Sequence, residues 1–370
     1  MIYLDYAANT PVNQKVLDAF NNATLAYFGN PNSLHENGNE AKIKIDESSQ
    51  IIANYFHTKK ENIIYTSGSS ESNNLVIKGI ADRYKNQGKH IIISAIEHSS
   101  IIAPCNYLAS NGYEITVIPL LSNGNIDIVA LKKALRKDTI LVSVSTVDPE
   151  LGTIEPVQEI AKILKNYPNT YFHTDATGAI GKINMNYEGI DFLTFAPHKF
   201  YGLNGSGVLI NFNDIKITPL IHGGKSTTIY RGGTPVTANI IATSIALQEA
   251  TKKLDDNIKY INSLKNGLIN NLKKINGVHI NTPSNSIPNI VNFSINNADE
   301  IVKKLSDKKI YVSTKTACSS KNAPSKSVLA VTKDLNLAKN SIRVSLSHLT
   351  TKEEIDIFLK ELTEVINENN

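Results

Sequence analysis

The sequence predicts an α/β protein: a mainly parallel, seven-stranded sheet in a large domain, followed by a smaller α+β domain. Three observations carry this. Seven short runs rich in β-branched residues recur through the first part of the chain. Most are apolar throughout instead of alternating, which suits strands covered on both faces. Helical patterns lie between them, and strand–helix alternation implies βαβ units in an open sheet.

In order, the strands are NIIYT (62–66), KHIIISA (89–95), EITVIP (114–119), TILVSVS (139–145), TYFHTD (170–175), DFLTFA (191–196) and GVLINF (207–212). Helices are expected over 73–86, 99–111, 128–136 and 155–166. The texture changes from about residue 240. A long helical region (238–274) leads into VHINT and IVNFSI, then a helix near 298–306, IYVST, a loop, IRVSLS and a terminal helix. That last helix opens with Thr350 and Glu353 at capping-box spacing. Ile355, Phe358, Leu359, Leu362 and Ile366 then line one of its faces. The boundary between the two units falls near residue 255.

Composition narrows the function. The chain has 370 residues, a length that suggests about two domains. Its formal charge of +4, with no long basic run, gives no argument for direct nucleic-acid binding. Two cysteines, Cys105 and Cys318, make no disulfide framework and fit a reducing, cytoplasmic setting. The opening MIYLDYAANTPV lacks a basic region and is not a secretory signal. No apolar run approaches the ~18 residues of a membrane span.

Open sheets of this kind bind ligands beyond the carboxyl ends of their strands. After NIIYT comes SGSSESNN, where small residues at a helix start make an anion site; Ser69 and Ser70 are its candidates. His98 follows KHIIISA, Asp175 ends TYFHTD, and His198 and Lys199 follow DFLTFA. Each alone has a plainer reading, as a turn, a loop histidine, a capping aspartate or a surface lysine. Together they supply what pyridoxal phosphate asks for: backbone donors for its phosphate, a flat partner for its ring, an anion beside its ring nitrogen and an amine for its aldehyde. No metal is expected. Cys318, in TKTACSSKNAPS, has lysines at 315 and 321 that favour its thiolate. Cys105, in IIAPCNYL, reads as helix core. Arg343, in SIRVSLS, is either a carboxylate binder or a strand arginine capped by solvent.

The chain resembles the cysteine desulfurases, pyridoxal-phosphate enzymes of the class V aminotransferases with an aspartate-aminotransferase-like fold. The resemblance runs nearly end to end, through YLDYAANTPV, GNPNSLHENG, TSGSSESNN, EH (97–98), HTDA, HK (198–199), RGGT, ACSS and IRVSLS. It implies a large cofactor domain over 15–255 and a small domain from 1–14 and 256–370 that carries the Cys318 loop. It also implies that Lys199 joins the cofactor aldehyde, Asp175 meets the ring nitrogen, and His98 stacks on the ring as an acid–base group. Ser70 and His198 match phosphate contacts, and Thr234 matches one donated across a homodimer interface. Arg343 matches the anchor of the substrate carboxylate. Cys318 matches the residue that takes sulfur from L-cysteine as a persulfide, leaving L-alanine. The sulfur then passes to an acceptor protein, such as an iron–sulfur scaffold or a tRNA-thiolating enzyme.

The chain departs from the family pattern at four positions. Asp148 and Pro149 stand where two asparagines are usual, Gly178 where a glutamine is, and Ala196 where a serine is. Proline offers neither a side-chain amide nor an N–H. The departures keep two other readings open: a pyridoxal-phosphate lyase or transaminase with another amino-acid substrate, and a weakened paralogue acting as a binding partner.

Overall fold

The computed structural model describes residues 1–314 and 323–368. Cys318, Lys315 and Lys321 lie outside the described residues. The chain starts with a short strand, β1 (Ile2–Tyr3), and two helices, α1 (Gln14–Ala26) and α2 (Glu36–Tyr55). Strands and helices then alternate: β2 (Ile63–Thr66), α3 (Ser69–Tyr84), β3 (His90–Ser94), α4 (Ser99–Ala109), β4 (Glu114–Ile118), α5 (Ile128–Ala134), β5 (Thr139–Ser143), α6 (Val157–Leu164), β6 (Tyr171–Asp175), β7 (Phe192–Phe195) and β8 (Gly207–Asn211). These seven strands, β2 to β8, form one sheet in the order β2-β8-β7-β6-β5-β3-β4. Only β8 runs against its neighbours, β2 and β7, so the sheet is mainly parallel as the sequence predicts.

Both faces of the sheet are covered along its inner strands, which is why most strands are apolar throughout; the edge strand β4 is partly exposed. Along β3, Ile92 joins one core with Val142, Phe172 and Leu193, while Ile91 and Ile93 join the core on the opposite face with Leu141 and Phe192. Helices α1, α2 and α7 (Thr237–Thr251) pack together on the first side, and α3 against α4 on the second.

A third core lies outside this sheet. Helices α8 (Leu254–Leu272), α9 (Ala298–Asp307) and α12 (Lys352–Glu368) surround the strands β9 (His279–Ile280), β10 (Ile290–Ser294) and β12 (Ser341–Ser345), with β10 in the centre. The chain start belongs here. β1 pairs in parallel with β11 (Ile310–Tyr311), and Ile2 and Leu4 are buried among Leu268, Val344 and Phe358. Two short helices, α10 (Lys326–Thr332) and α11 (Leu335–Lys339), pack on each other beside it.

The structure corrects three local expectations. The helical region 238–274 is two helices, broken at Lys252 and Lys253. Asp255 and Asp256 stand in the first turn of α8, where negative charge is favoured, and mark the new start. The capping box of α12 lies one residue later than expected. Thr351 N donates to Glu354 Oε2 at 2.9 Å and Glu354 N to Thr351 Oγ1 at 3.1 Å, while Thr350 Oγ1 accepts from Ser347 N. Finally, α1 and α2 were not anticipated. The buried face of α2 is Gly38, Ala41, Ile45, Ser48, Ser49, Ile52 and Ala53, too small and polar to show a clear apolar period.

Leu4 is fully buried, and its carbonyl accepts from Ser345 N at 2.7 Å. Leu4→Ala is expected to cost about 2–5 kcal/mol, read from the denaturant midpoint of the purified protein.

Candidate active site

The candidate site lies at the carboxyl ends of the sheet strands. β2 runs through Ser67 and Gly68 into α3, whose first-turn amides, including those of Ser69 and Ser70, have no acceptor inside the helix. Two contacts brace this turn. Ser67 N donates to Glu71 Oε2 at 2.8 Å, and Glu71 Oε1 pairs with Arg231 Nε at 3.0 Å. A Cβ on Gly207 would lie 2.3 Å from the carbonyl carbon of Gly68, so only glycine lets β8 approach this closely. A Cβ on Gly68 would meet nothing within 4 Å, so the space beside it is open. Ser69 is half-buried, Ser70 is exposed, and Thr234 lines a cavity of about 120 Å³ with Ser67, Gly207 and Arg231.

Asp175 ends β6, the central strand. It is 7% exposed. Its Oδ1 accepts from Thr177 N at 2.9 Å and its Oδ2 from Asn73 Nδ2 at 2.8 Å. Asn73, on α3, also donates from Nδ2 to Ser100 Oγ at 2.9 Å, and Ser100 Oγ lies 2.8 Å from His98 Nδ1. His98 is the N-cap of α4, with Nδ1 accepting from Ser100 N at 3.1 Å. Burial lowers the His98 pKa; Asp175 opposes this and Lys199 adds to it. Asp175 and His98 are thus brought together, through two residues that sequence reasoning missed. Asn73 and Ser100 stand within motifs already noted, but their role depends on contacts across 102 and 27 residues of chain.

Lys199 follows β7 in a 3₁₀ turn, Pro197–Lys199, and is half-buried. Its Nζ donates to the carbonyls of Ala7, at 2.8 Å, and Ala8, at 2.5 Å. The segment that supplies them is tied to the same turn: Thr10 donates from N and Oγ1 to His198 O, and Tyr201 N donates to Thr10 Oγ1 at 2.7 Å. Burial, then Lys199 and Lys182, bring the His198 pKa down to about 4, so its ring is neutral near pH 7.

Arg343 is 2% exposed, so it is not capped by solvent. Its Nη2 pairs with Asp5 Oδ1 at 2.9 Å and its Nη1 donates to Pro149 O at 2.9 Å. Its Nε is buried with no hydrogen-bond partner among the described residues. Asp5 is a third residue that sequence reasoning did not single out. Pro149 contributes here through its carbonyl, a group that proline retains. Ala196 is fully buried, and an added Cβ on Gly178 would lie 3.4 Å from Val147 Cβ. A cavity of about 330 Å³ has His98, Pro149, Glu150 and Ser325 on its wall. Ser325 Oγ donates to Glu150 Oε2.

These residues fit a pyridoxal phosphate. A buried carboxylate, a neutral imidazole, an amine and a turn whose helix amides lack acceptors in the helix stand at this end of the sheet, and Arg343 keeps a buried Nε with no partner among the described residues. Cys105 fits none of this: it is fully buried in α4, with its thiol pKa pushed up to about 12 by burial and then by Glu97.

The sequence matches the aminotransferase class-V family over residues 2–358. It is 42% identical over 372 residues to the cysteine desulfurase IscS of Dictyoglomus turgidum, covering 99% of this chain and 94% of that protein. It is 40% identical to the cysteine desulfurase IscS of Buchnera aphidicola subsp. Baizongia pistaciae, covering 99% and 93%. A solved structure described as a NifS-like protein superimposes with a TM-score of 0.93 at 32% identity, covering 99% of both chains.

Buried acids surround the STVDPELG segment. Burial raises the Glu155 pKa to about 8, that of Glu97 to about 7 and that of Asp148 to about 6. For each, the folded state binds its proton more tightly than the unfolded chain, so stability is lost as pH rises from the ordinary carboxylate range through the folded pKa. Glu155 Oε1 has no partner among the described residues. Glu155→Gln, which keeps the neutral shape, should therefore raise the melting temperature over wild type more at pH 8 than at pH 5, read by thermal unfolding at the two values.

Proposed function

The chain belongs to the class V aminotransferases and, within them, to the cysteine desulfurases, and on that premise we propose how its residues divide the work. When bound, pyridoxal phosphate supplies an aldehyde that takes an amino group and a protonated ring that draws electrons from the substrate. Lys199 would hold the aldehyde, and its amine would move the proton of the substrate α-carbon. Asp175 keeps the ring nitrogen protonated, because an adjacent anion favours the charged form. His98 covers the ring face. Ser69, Ser70 and His198 hold the phosphate, and Thr234 reaches it from a second copy of the chain. The exposed apolar side chains of Leu25, Phe28, Leu34 and Val236 support a homodimer that covers them.

Arg343 anchors the carboxylate of L-cysteine. Its Asp5 and Pro149 contacts hold the guanidinium still, and its Nε, without a partner among the described residues, gives it a donor to spare. The Cys318 thiolate attacks the substrate sulfur. An S–S bond forms as the substrate C–S bond breaks, the carbon skeleton takes up a proton, and L-alanine leaves. The persulfide on Cys318 passes to the thiol of an acceptor protein, an iron–sulfur scaffold or a tRNA-thiolating enzyme, in a reducing cytoplasm. Glu150 supports delivery by holding Ser325, the N-cap of α10 and close in sequence to Cys318. The third core corresponds to a small domain of 1–14 and 256–370, set beside a large domain of 15–255.

The observation that carries this reading is the convergence of Lys199, Asp175 and His98 at one end of the sheet. Its test is incubation of the purified protein with L-cysteine and a reductant. Sulfide and alanine should form in equal amounts, and Cys318→Ser should abolish the sulfide; alanine-free or Cys318-independent turnover would contradict it. Arg343→Lys should cost roughly 1.5–3 kcal/mol, the value of a hydrogen bond to a charged group, read chiefly as a higher KM for cysteine.

A further inference from the structure

We propose that the ionised carboxylate of Asp175 sets the tautomer of His98, through Asn73 and Ser100, and places the imidazole proton on Nε2. This rests on the reading above that both residues serve the cofactor, but the chain of hydrogen bonds stands on its own geometry. An ionised carboxylate only accepts hydrogen bonds, so the Asn73 atom 2.8 Å from Asp175 Oδ2 must be the donor, Nδ2. That fixes the amide orientation. The second Nδ2 proton is then directed to Ser100 Oγ at 2.9 Å, which makes this hydroxyl an acceptor on that side. Its own proton is left to point at His98 Nδ1, 2.8 Å away. Nδ1 must therefore offer a lone pair.

A second, independent observation favours the same form. His98 caps α4, and Ser100 N donates to Nδ1 at 3.1 Å. A backbone N–H cannot accept, so this capping contact, longer than the hydroxyl's at 3.1 Å against 2.8 Å, adds a bias toward Nδ1 unprotonated. Both the hydroxyl and the amide thus favour one neutral form, in which Nε2 carries the proton. The positive end of the α4 dipole lies beside the ring and disfavours imidazolium. Burial acts in the same direction. Nε2 makes no hydrogen bond among the described residues. His98 therefore meets a ligand as a proton donor through Nε2. Asn73 and Ser100 are positioning residues, both buried and neither part of the functional set read from sequence.

The test is nitrogen NMR on protein labelled with ¹⁵N-histidine, with and without added pyridoxal phosphate. The His98 signals are identified by their loss in His98→Gln. Near neutral pH, wild type should show a pyrrole-like Nε2 and a pyridine-like Nδ1. Ser100→Ala should draw the two signals toward each other as the second tautomer becomes populated, and Ser100→Thr, which keeps the hydroxyl, should restore them. Asn73→Leu, which leaves Ser100 in place but removes its orienting donor, should act like Ser100→Ala and serves if that variant does not fold. A proton on Nδ1 in wild type, or variants with unmoved signals, would overturn the proposal. The visible absorption of bound cofactor, recorded on the same samples, keeps the two readings apart. Absent absorption with the Nε2 tautomer intact counts against the cofactor roles alone, and normal absorption with the other tautomer counts against this proposal alone.

Discussion

A buried carboxylate at the end of a central strand is the constraint on which this site turns. Asp175 is nearly inaccessible, and a buried charge is tolerated only when it is paired or well hydrogen-bonded. The fold meets that demand from two directions and passes it on to a third element. The turn after β6 supplies Thr177 N, α3 supplies Asn73, and the Asn73 amide carries the constraint onward to Ser100 on α4. The helices after β2 and β3 are thereby fixed to the end of β6, so the turn that opens α3 and His98 keep their places relative to Asp175. Sheet order does the rest. β7, which leads to Lys199, is the direct neighbour of β6.

The other half of the site depends on the start of the chain. β1 and Leu4 are part of the third core, yet the residues that follow run to the sheet end. Ala7 and Ala8 offer carbonyls to Lys199, Thr10 ties to the turn that holds it, and Asp5 pairs with Arg343. One short segment thus joins the amine to the guanidinium. The two cationic groups of the site stand on different cores, and this segment is bonded to both. Arg343 is buried and pairs with Asp5, and removing one partner from a buried ion pair strands the other.

Much of the fold was legible because burial on both faces makes parallel strands apolar throughout, and most of the seven sheet strands carry that mark; the edge strand β4, with Glu114 and Val117 exposed, does not. The helices α1 and α2 were not legible, since small and polar residues form the buried face of α2. Within the site, Lys199, Asp175 and His98 could be read because each stands at the end of a strand, where such folds place ligands. Asp5, Asn73 and Ser100 could not be assigned a part. Their contributions are contacts made across the fold, and a single sequence records no through-space pairing. The departures at Asp148 and Pro149 read as losses in sequence. In space, Pro149 O receives Arg343 and Asp148 Oδ1 receives the amides of Glu150 and Leu151, so the segment retains an ordered structure around the guanidinium.

The central claim is that the amine at Lys199, and no other, bonds the cofactor that lies against Asp175. The direct measurement is borohydride reduction of the pyridoxal-phosphate-loaded protein, followed by peptide mapping. The account predicts a single stable adduct on the peptide that contains Lys199. An adduct on another lysine, such as the nearby Lys182, or no adduct at all, would contradict it.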